Sequence, residues 1–279
     1  MAMLVSDVSG LRQVVAGWQQ AGLRVAVVPT MGALHEGHLT LVREAFKRAD
    51  KVIVTIFVNP KQFAPTEDLA RYPRDFDGDM ALLETEGVDL VYGPTLESMY
   101  GPGFSTNVAM AGPAKAVLED KFRSHFFDGV ATVVAKLFIQ TQADVALFGE
   151  KDYQQLLTVR QMARDLDIPI EVVGVATVRD VDGMAKSSRN RYLNKHERHQ
   201  ATAIIRTLEQ AAQKIRDGVD QQKATRAASR SLTTLGFKVD YVTARNAETL
   251  AVPTSTEEPL RLLVAAWLGT TRLIDNIAV

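Results

Sequence analysis

Five short apolar runs, at residues 25–28, 52–58, 88–92, 145–148 and 170–178, alternate with stretches of helical spacing across the first two thirds of the chain. The runs are apolar at successive positions, so each reads as a strand buried on both faces. After the first, Leu39, Val42 and Phe46 recur at helical spacing. Alternation of this kind predicts an α/β fold, a parallel sheet with helices on both faces. Ligands of such sheets bind beyond the carboxyl ends of the strands, at the switch point of the strand order. Polar, turn-rich segments follow three of the runs, at residues 29–38, 59–63 and 149–155, and are expected to converge on one crevice.

Beyond residue 178 the texture changes. A polar loop (179–191) precedes two helical stretches, from about 195 to 217 and from 220 to 235, and strand-like segments at 239–244 and 260–268. This predicts two domains, 1–178 and a smaller α+β domain at 179–279, with a polar loop at 253–259. The 279 residues are 46% hydrophobic, enough for a full core, and the formal net charge of -1 gives no basic footprint for nucleic acid or an anionic membrane. Any phosphate binding must be local. With no cysteine there is neither a disulfide framework nor a thiol nucleophile, which fits a reducing compartment. Met1 to Gly10 lacks a basic flank before an apolar core, and no apolar run approaches the roughly 20 residues of a membrane span. A soluble cytoplasmic protein is expected.

The first strand end reads Pro29-Thr30-Met31-Gly32-Ala33-Leu34-His35-Glu36-Gly37-His38. A helix starting near Glu36 or Gly37 would offer unpaired N–H groups and the positive end of its dipole, a ready site for phosphate. His35 and His38 share one side of its first turn, and Gly37 lets a ligand approach the backbone. By themselves the two histidines also fit plain surface positions. A zinc protease motif is excluded by their spacing, three apart rather than four, and zinc would find no cysteine and only five histidines.

Two further segments carry cations. The stretch from Asp182 to Arg191 holds Lys186, Ser187, Ser188, Arg189 and Arg191; Arg189 can grip phosphate bidentately and Lys186 can supply a point charge. That composition fits a phosphate clamp and a solvated basic loop equally, and its place after the last sheet strand favours the clamp. After Phe148, Gly149 permits a tight turn, and Lys151 and Asp152 precede a helix with Leu156, Val159 and Met162 on one face. Lys151 can meet a phosphate, and Asp152 can cap the helix or bind magnesium. Gln154 and Gln155 are neutral hydrogen-bonding groups suited to a hydroxylated substrate, with Gln154 the more surface-like of the pair.

Six ordered motifs, PTMGALHEGH, IFVNPKQF, YPRDFDGD, FGEKDYQQL, DGMAKSSRNRYL and WLGTTRLIDN, resemble those of the pantoate:β-alanine ligases of the HIGH-motif nucleotidyltransferase superfamily. The resemblance implies a Rossmann-like N-terminal domain binding ATP and pantoate, and a C-terminal lid carrying a KMSKS-like loop, in a cytoplasmic homodimer. It implies ATP, Mg2+ and two half-reactions. The carboxylate of (R)-pantoate attacks the α-phosphorus of ATP with loss of pyrophosphate, and the amine of β-alanine then displaces AMP from the pantoyl adenylate. On this chain it assigns Met31, Gly32, Ala33, Leu34, His35, Glu36, Gly37 and His38 to ATP, with His38 most directly assisting the phosphoryl chemistry. It assigns Gly149, Glu150, Lys151, Asp152, Val178, Lys186, Ser187, Ser188 and Arg189 to ATP as well, Lys151 and Arg189 as catalytic cations and Asp152 near the ribose or metal. Gln62 and Gln155 would hold pantoate, and Gln62 would border β-alanine.

Two positions depart from the family pattern. Phe126 stands in the usual histidine slot with His125 one place earlier, so His125 receives no role, and Lys186 occupies a position that is usually apolar. The lysine is expected to point outward, with Arg189 the stronger phosphate ligand. Two other readings share the His35 turn and the basic loop: transfer of NMP to a phosphorylated acceptor, and a non-catalytic ATP sensor. The first needs a second anion site, which neutral Gln62 and Gln155 do not supply; the second does not need so many convergent cations.

Overall fold

The structure, a computed structural model, describes residues 2–64, 67–255 and 257–279. Strands β1 (Met3–Val5), β2 (Val25–Thr30), β3 (Lys51–Ile56), β4 (Leu90–Tyr92), β5 (Val145–Gly149) and β6 (Glu171–Val175) form a six-stranded sheet in the order β1-β4-β3-β2-β5-β6. All its pairings are parallel. The helices of this part are α1 (Val8–Gln20), α2 (Glu36–Phe46), α3 (Phe76–Thr85), α4 (Leu96–Met99), α5 (Glu119–Phe122), α6 (Phe126–Thr141) and α7 (Tyr153–Asp165).

Successive strand residues serve opposite faces, which explains the unbroken apolar runs. Val25, Val27, Ile53, Leu90, Tyr92, Ala146 and Phe148 join a core with Leu11 and Val15 of α1 and Val130 and Val134 of α6. Ala26, Val28, Val52, Val54, Val91, Val145 and Leu147 join the opposite core with Leu41, Val42 and Ala45 of α2 and Leu83 of α3. Each large side chain so buried contributes about 1.5–3 kcal/mol, which makes the central strands the rigid base of the molecule. From β2 the chain steps to β3 on one side and later returns to β5 on the other, so β2 and β5 flank the switch point. Their register pairs Ala26 with Val145 and Val27 with Ala146, and continuing it sets Thr30 level with Gly149.

Several bounds differ from expectation. The run at 52–58 leaves the sheet at Ile56 because Asn59 caps a single 3-10 turn, Pro60–Gln62. The run at 88–92 starts pairing only at Leu90, since the Val88 N–H closes the end of α3 on the Leu83 carbonyl. The last run ends at Val175, leaving Val178 in a loop. Strand β1 was not anticipated; its three residues include Met3 and Leu4, each half exposed.

The chain divides into two compact units, residues 1–150 with 155–176, and residues 151–154 with 177–279. The second contains α8 (Lys195–Ala201), α9 (Ala203–Arg216), α10 (Gln221–Thr234), and an antiparallel sheet of β7 (Lys238–Asn246), β8 (Leu260–Leu268) and β9 (Thr271–Ala278) in sequential order. Ile204, Leu208, Ala211 and Ala212 of α9 and Ala228 and Leu232 of α10 bury against Leu262, Val264, Ala266 and Leu273. The single helix expected at 195–217 breaks at Thr202, whose hydroxyl donates back to the His199 carbonyl at 2.8 Å. Residues 253–259 fall between β7 and β8, with Thr256 outside the described residues. Among the described residues no helix is long and apolar enough to cross a membrane.

Candidate active site

Helix α2 begins at Glu36 with His35 as its N-cap. The Gly37 N–H donates to His35 Nδ1 at 3.1 Å and the His35 N–H donates to His38 Nδ1 at 3.3 Å. The motif is therefore a capping box built from two histidines. Because each Nδ1 accepts, the proton of each neutral ring resides on Nε2. The rings lie 4.1 Å apart and 34° from parallel, so they are fixed as a pair. Nε2 of each ring is the nitrogen that the cap does not use.

The turn before this helix is held from α3. Gly32 and Ala33 adopt successive left-handed conformations, φ 76° and 51°, the second at a cost of about 1–2 kcal/mol for a residue with a Cβ. Asp79, only 3% exposed, accepts the Ala33 N–H at 2.8 Å and the Leu34 N–H at 2.7 Å. A Cβ on Gly32 would lie 2.8 Å from Asp79 Oδ2 and 3.2 Å from Ile56 Cγ2, so the carboxylate closes over the glycine itself. The amides of the turn, expected to be open to a ligand, are not all so: those of Ala33 and Leu34 are engaged by Asp79. Nothing local to the turn announces this residue, which the sequence shows only within YPRDFDGD.

Gln62 is buried and joined to the same turn, its Nε2 3.1 Å from Met31 Sδ. Its Oε1 accepts from Asn59 Nδ2 at 3.1 Å, and Nδ2 also donates to the Gly129 carbonyl at 3.2 Å. Helix α6 packs so closely that a Cβ on Gly129 would lie 2.2 Å from the Lys61 carbonyl oxygen. Asn59, 1% exposed, thus belongs with Gln62 although the sequence did not single it out. A cleft in this unit is lined by Met31, Gly32, Phe57, Arg74, Phe76 and Asp79.

At the end of β5, Gly149 pairs with Val175 and has no left-handed φ. The tight turn expected at the glycine is instead the 3-10 turn Glu150–Asp152, and a Cβ on Gly149 would meet open space. Of the two glutamines that follow, Gln154 is buried and Gln155 half-buried, the reverse of the expected order of exposure.

In the second unit the Lys151 carbonyl accepts from Asn276 Nδ2 at 2.8 Å, and Lys151 Nζ lies 3.6 Å from Asp152. The basic loop is a folded element. Arg179 makes a two-pronged ion pair with buried Asp275 at 2.7 and 2.9 Å and also donates to the Gly183 carbonyl. The Lys186 N–H donates to the Val178 carbonyl at 2.9 Å, and Ser187 caps the 3-10 turn Ser188–Tyr192 that contains Arg189. Lys186 does not project outward as expected: its ammonium pairs with Asp180, while Arg198 bridges Asp180 and Asp182, each at 2.8 Å. The Lys186 hydrogen bond is the chief cause that holds the Asp180 carboxyl below the ordinary carboxylate range. His125 stands exposed just before α6, with no side-chain cap bond to it. Among the described residues no group of three or more His, Cys, Asp or Glu could hold a metal ion.

The profile of the family described as pantoate-beta-alanine ligase matches residues 3–278. The chain belongs to that family. It is 56% identical to a pantothenate synthetase of a Bradyrhizobium species, over 98% of this chain and 97% of the relative, and 52% identical to one of Rhodopseudomonas palustris, over 99% and 98%. Pantothenate synthetase from Thermus thermophilus superposes with a TM-score of 0.91 at 45% identity, covering 99% of this chain and 98% of its own. Pantoate-beta-alanine ligase from Francisella tularensis, in complex with a beta-gamma ATP compound and beta-alanine, superposes at 0.84 with 29% identity, covering 100% and 98%. These ligases share the parallel sheet with its separate antiparallel C-terminal sheet.

Replacing Asp79 with alanine leaves two buried N–H groups unpaired beneath a left-handed turn, and a loss of about 2–5 kcal/mol is expected in urea unfolding; a loss under about 1 kcal/mol would mean that the turn holds itself. For Lys186→Met the sign follows from Asp180. A carboxyl lowered in the folded state contributes stability above its unfolded pKa of about 4 and loses it as pH falls through the folded value. Wild type should therefore exceed Lys186→Met by about 0.5–1 kcal/mol at pH 7, and the gap should close below about pH 4. A gap unchanged between neutral and acid pH would contradict the assigned pairing.

Proposed function

We propose that this chain condenses (R)-pantoate with β-alanine to pantothenate at the expense of ATP, through a pantoyl adenylate. The observation that supports this most strongly is the 56% identity to a pantothenate synthetase along nearly the whole of both chains. In the first step a pantoate carboxylate oxygen bonds to the α-phosphorus as the bond to the β-phosphate oxygen breaks and pyrophosphate leaves. In the second, the β-alanine nitrogen bonds to the acyl carbon, loses a proton, and AMP leaves. Both nucleophiles come from substrates, so the protein's task is positioning and stabilisation of charge.

His38 and His35 fit the first step because the cap fixes their rings through Nδ1, and rings so fixed can direct Nε2–H groups at phosphate oxygens. In this reading Met31 to His38, Gly149 to Asp152, Val178 and Lys186 to Arg189 contact ATP, with Lys151 and Arg189 as phosphate cations. Lys186 contributes through its pair with Asp180 unless that pair opens. Gln62 and Gln155 hold pantoate, and Gln62 borders β-alanine. Residues 1–178 act as the ATP- and pantoate-binding domain and residues 179–279 carry the basic loop.

The described donor set offers no cage for a resident metal, which fits magnesium that arrives on the triphosphate with Asp152 as the nearest candidate protein ligand. Bound there, the ion would neutralise phosphate charge. A cytoplasmic homodimer completes the reading. Pyrophosphate exchange into ATP should require pantoate and magnesium but not β-alanine, because adenylation is complete before the amine acts. Exchange at an equal rate without pantoate would point to another acceptor and overturn the assignment.

A further inference from the structure

The amide of Gln62 is held by a chain of hydrogen bonds that begins outside the residues assigned so far. The Tyr100 hydroxyl donates to Asn59 Oδ1 at 2.8 Å, and Asn59 Nδ2 donates in turn to Gln62 Oε1 at 3.1 Å. The sense of the Asn59 amide is set by its surroundings: Lys61 N–H needs an oxygen at 3.3 Å and the Gly129 carbonyl needs a nitrogen at 3.2 Å. With Oε1 turned to Asn59, the Gln62 amide presents its N–H donors on the other side, one directed at Met31 Sδ. A side chain so constrained favours a ligand that presents acceptors, as a carboxylate and a hydroxyl oxygen do.

Tyr100 is itself wedged in place. Its ring packs edge-on against Phe57 at 6.0 Å and beside Phe104 at 4.9 Å, and the Lys61 ammonium lies 5.2 Å from its centroid. Burial pushes the phenol well above its ordinary pKa, which keeps it a donor. Without that hydroxyl, Oδ1 of the buried Asn59 would keep only the longer bond from Lys61 N–H, and the Asn59 amide would be held less firmly against Gln62.

We infer that Tyr100 is a positioning residue for recognition of the hydroxy acid, acting through Asn59 to hold the Gln62 amide with its N–H donors toward the substrate. The inference rests on the reading of Gln62 as a pantoate ligand.

Kinetics of Tyr100→Phe, Gln62→Ala and the double variant test it. Tyr100→Phe is expected to raise KM for pantoate roughly fivefold to twentyfold, the effect of one buried hydrogen bond, while KM for ATP changes less than about twofold. In the Gln62→Ala background the same substitution should add less than about twofold, since the two residues act as one unit. Thermal melting of Tyr100→Phe should stay within about 4 °C of the parent. A Gln62→Ala enzyme with unaltered KM for pantoate overturns the reading of Gln62 and the inference with it. If Gln62→Ala is defective but Tyr100→Phe is silent, multiplies the defect in full, or weakens ATP and pantoate alike, the inference alone falls.

Discussion

The HIGH-type turn depends on one buried carboxylate. Asp79 accepts from the successive amides of Ala33 and Leu34, and without it two left-handed residues would have no reason to stay so between β2 and α2. Strand β2 delivers the turn to a fixed place because it is buried on both faces and paired on both edges. Helix α3 delivers the carboxylate because Leu83, farther along it, is locked into the opposite core. Cost and compensation sit together: an unfavourable backbone at Gly32 and Ala33 is matched by two short charge-assisted hydrogen bonds.

What this arrangement produces is a pair of histidines that cap their own helix. A Ser or Asp cap would satisfy the same backbone N–H groups. Histidine does so with Nδ1 and still carries a second nitrogen, so one residue both ends the turn and supplies a donor. The neighbouring Asn59–Gln62 pair follows the same logic, since Asn59, itself anchored on the Gly129 carbonyl, orients the Gln62 amide. In the second unit, the basic loop owes its shape to Arg179 and Asp275 and to the Asp180–Lys186–Arg198 cluster.

Strands buried on two faces leave uninterrupted apolar runs, and for that reason β2 to β6 were legible from residue order alone, as was the helix start at Glu36. The three-residue β1 was too short to show a period. Asp79 was invisible because it lies 46 positions from Ala33, and a lone carboxylate in an acidic segment carries no local sign of its partner. Gln154 and Gln155 were ranked in the wrong order of burial, since neighbouring residues at a helix start face different directions and spacing does not say which is inward. Lys186 was expected to extend outward; the acid that holds it, Asp180, lies in the same loop, where sequence gives proximity without geometry.

The central claim is that the capping box orients histidine Nε2–H groups for adenylation, so that cap and donor are separate functions of one side chain. His38→Asn separates them, because an asparagine oxygen can accept the His35 N–H in place of Nδ1 while nothing replaces Nε2–H. Single-turnover formation of the adenylate from ATP and pantoate should fall about 100-fold or more, the scale of one preorganised donor, with the urea midpoint unchanged. A stably folded His38→Asn enzyme that forms adenylate at the parental rate would contradict the account.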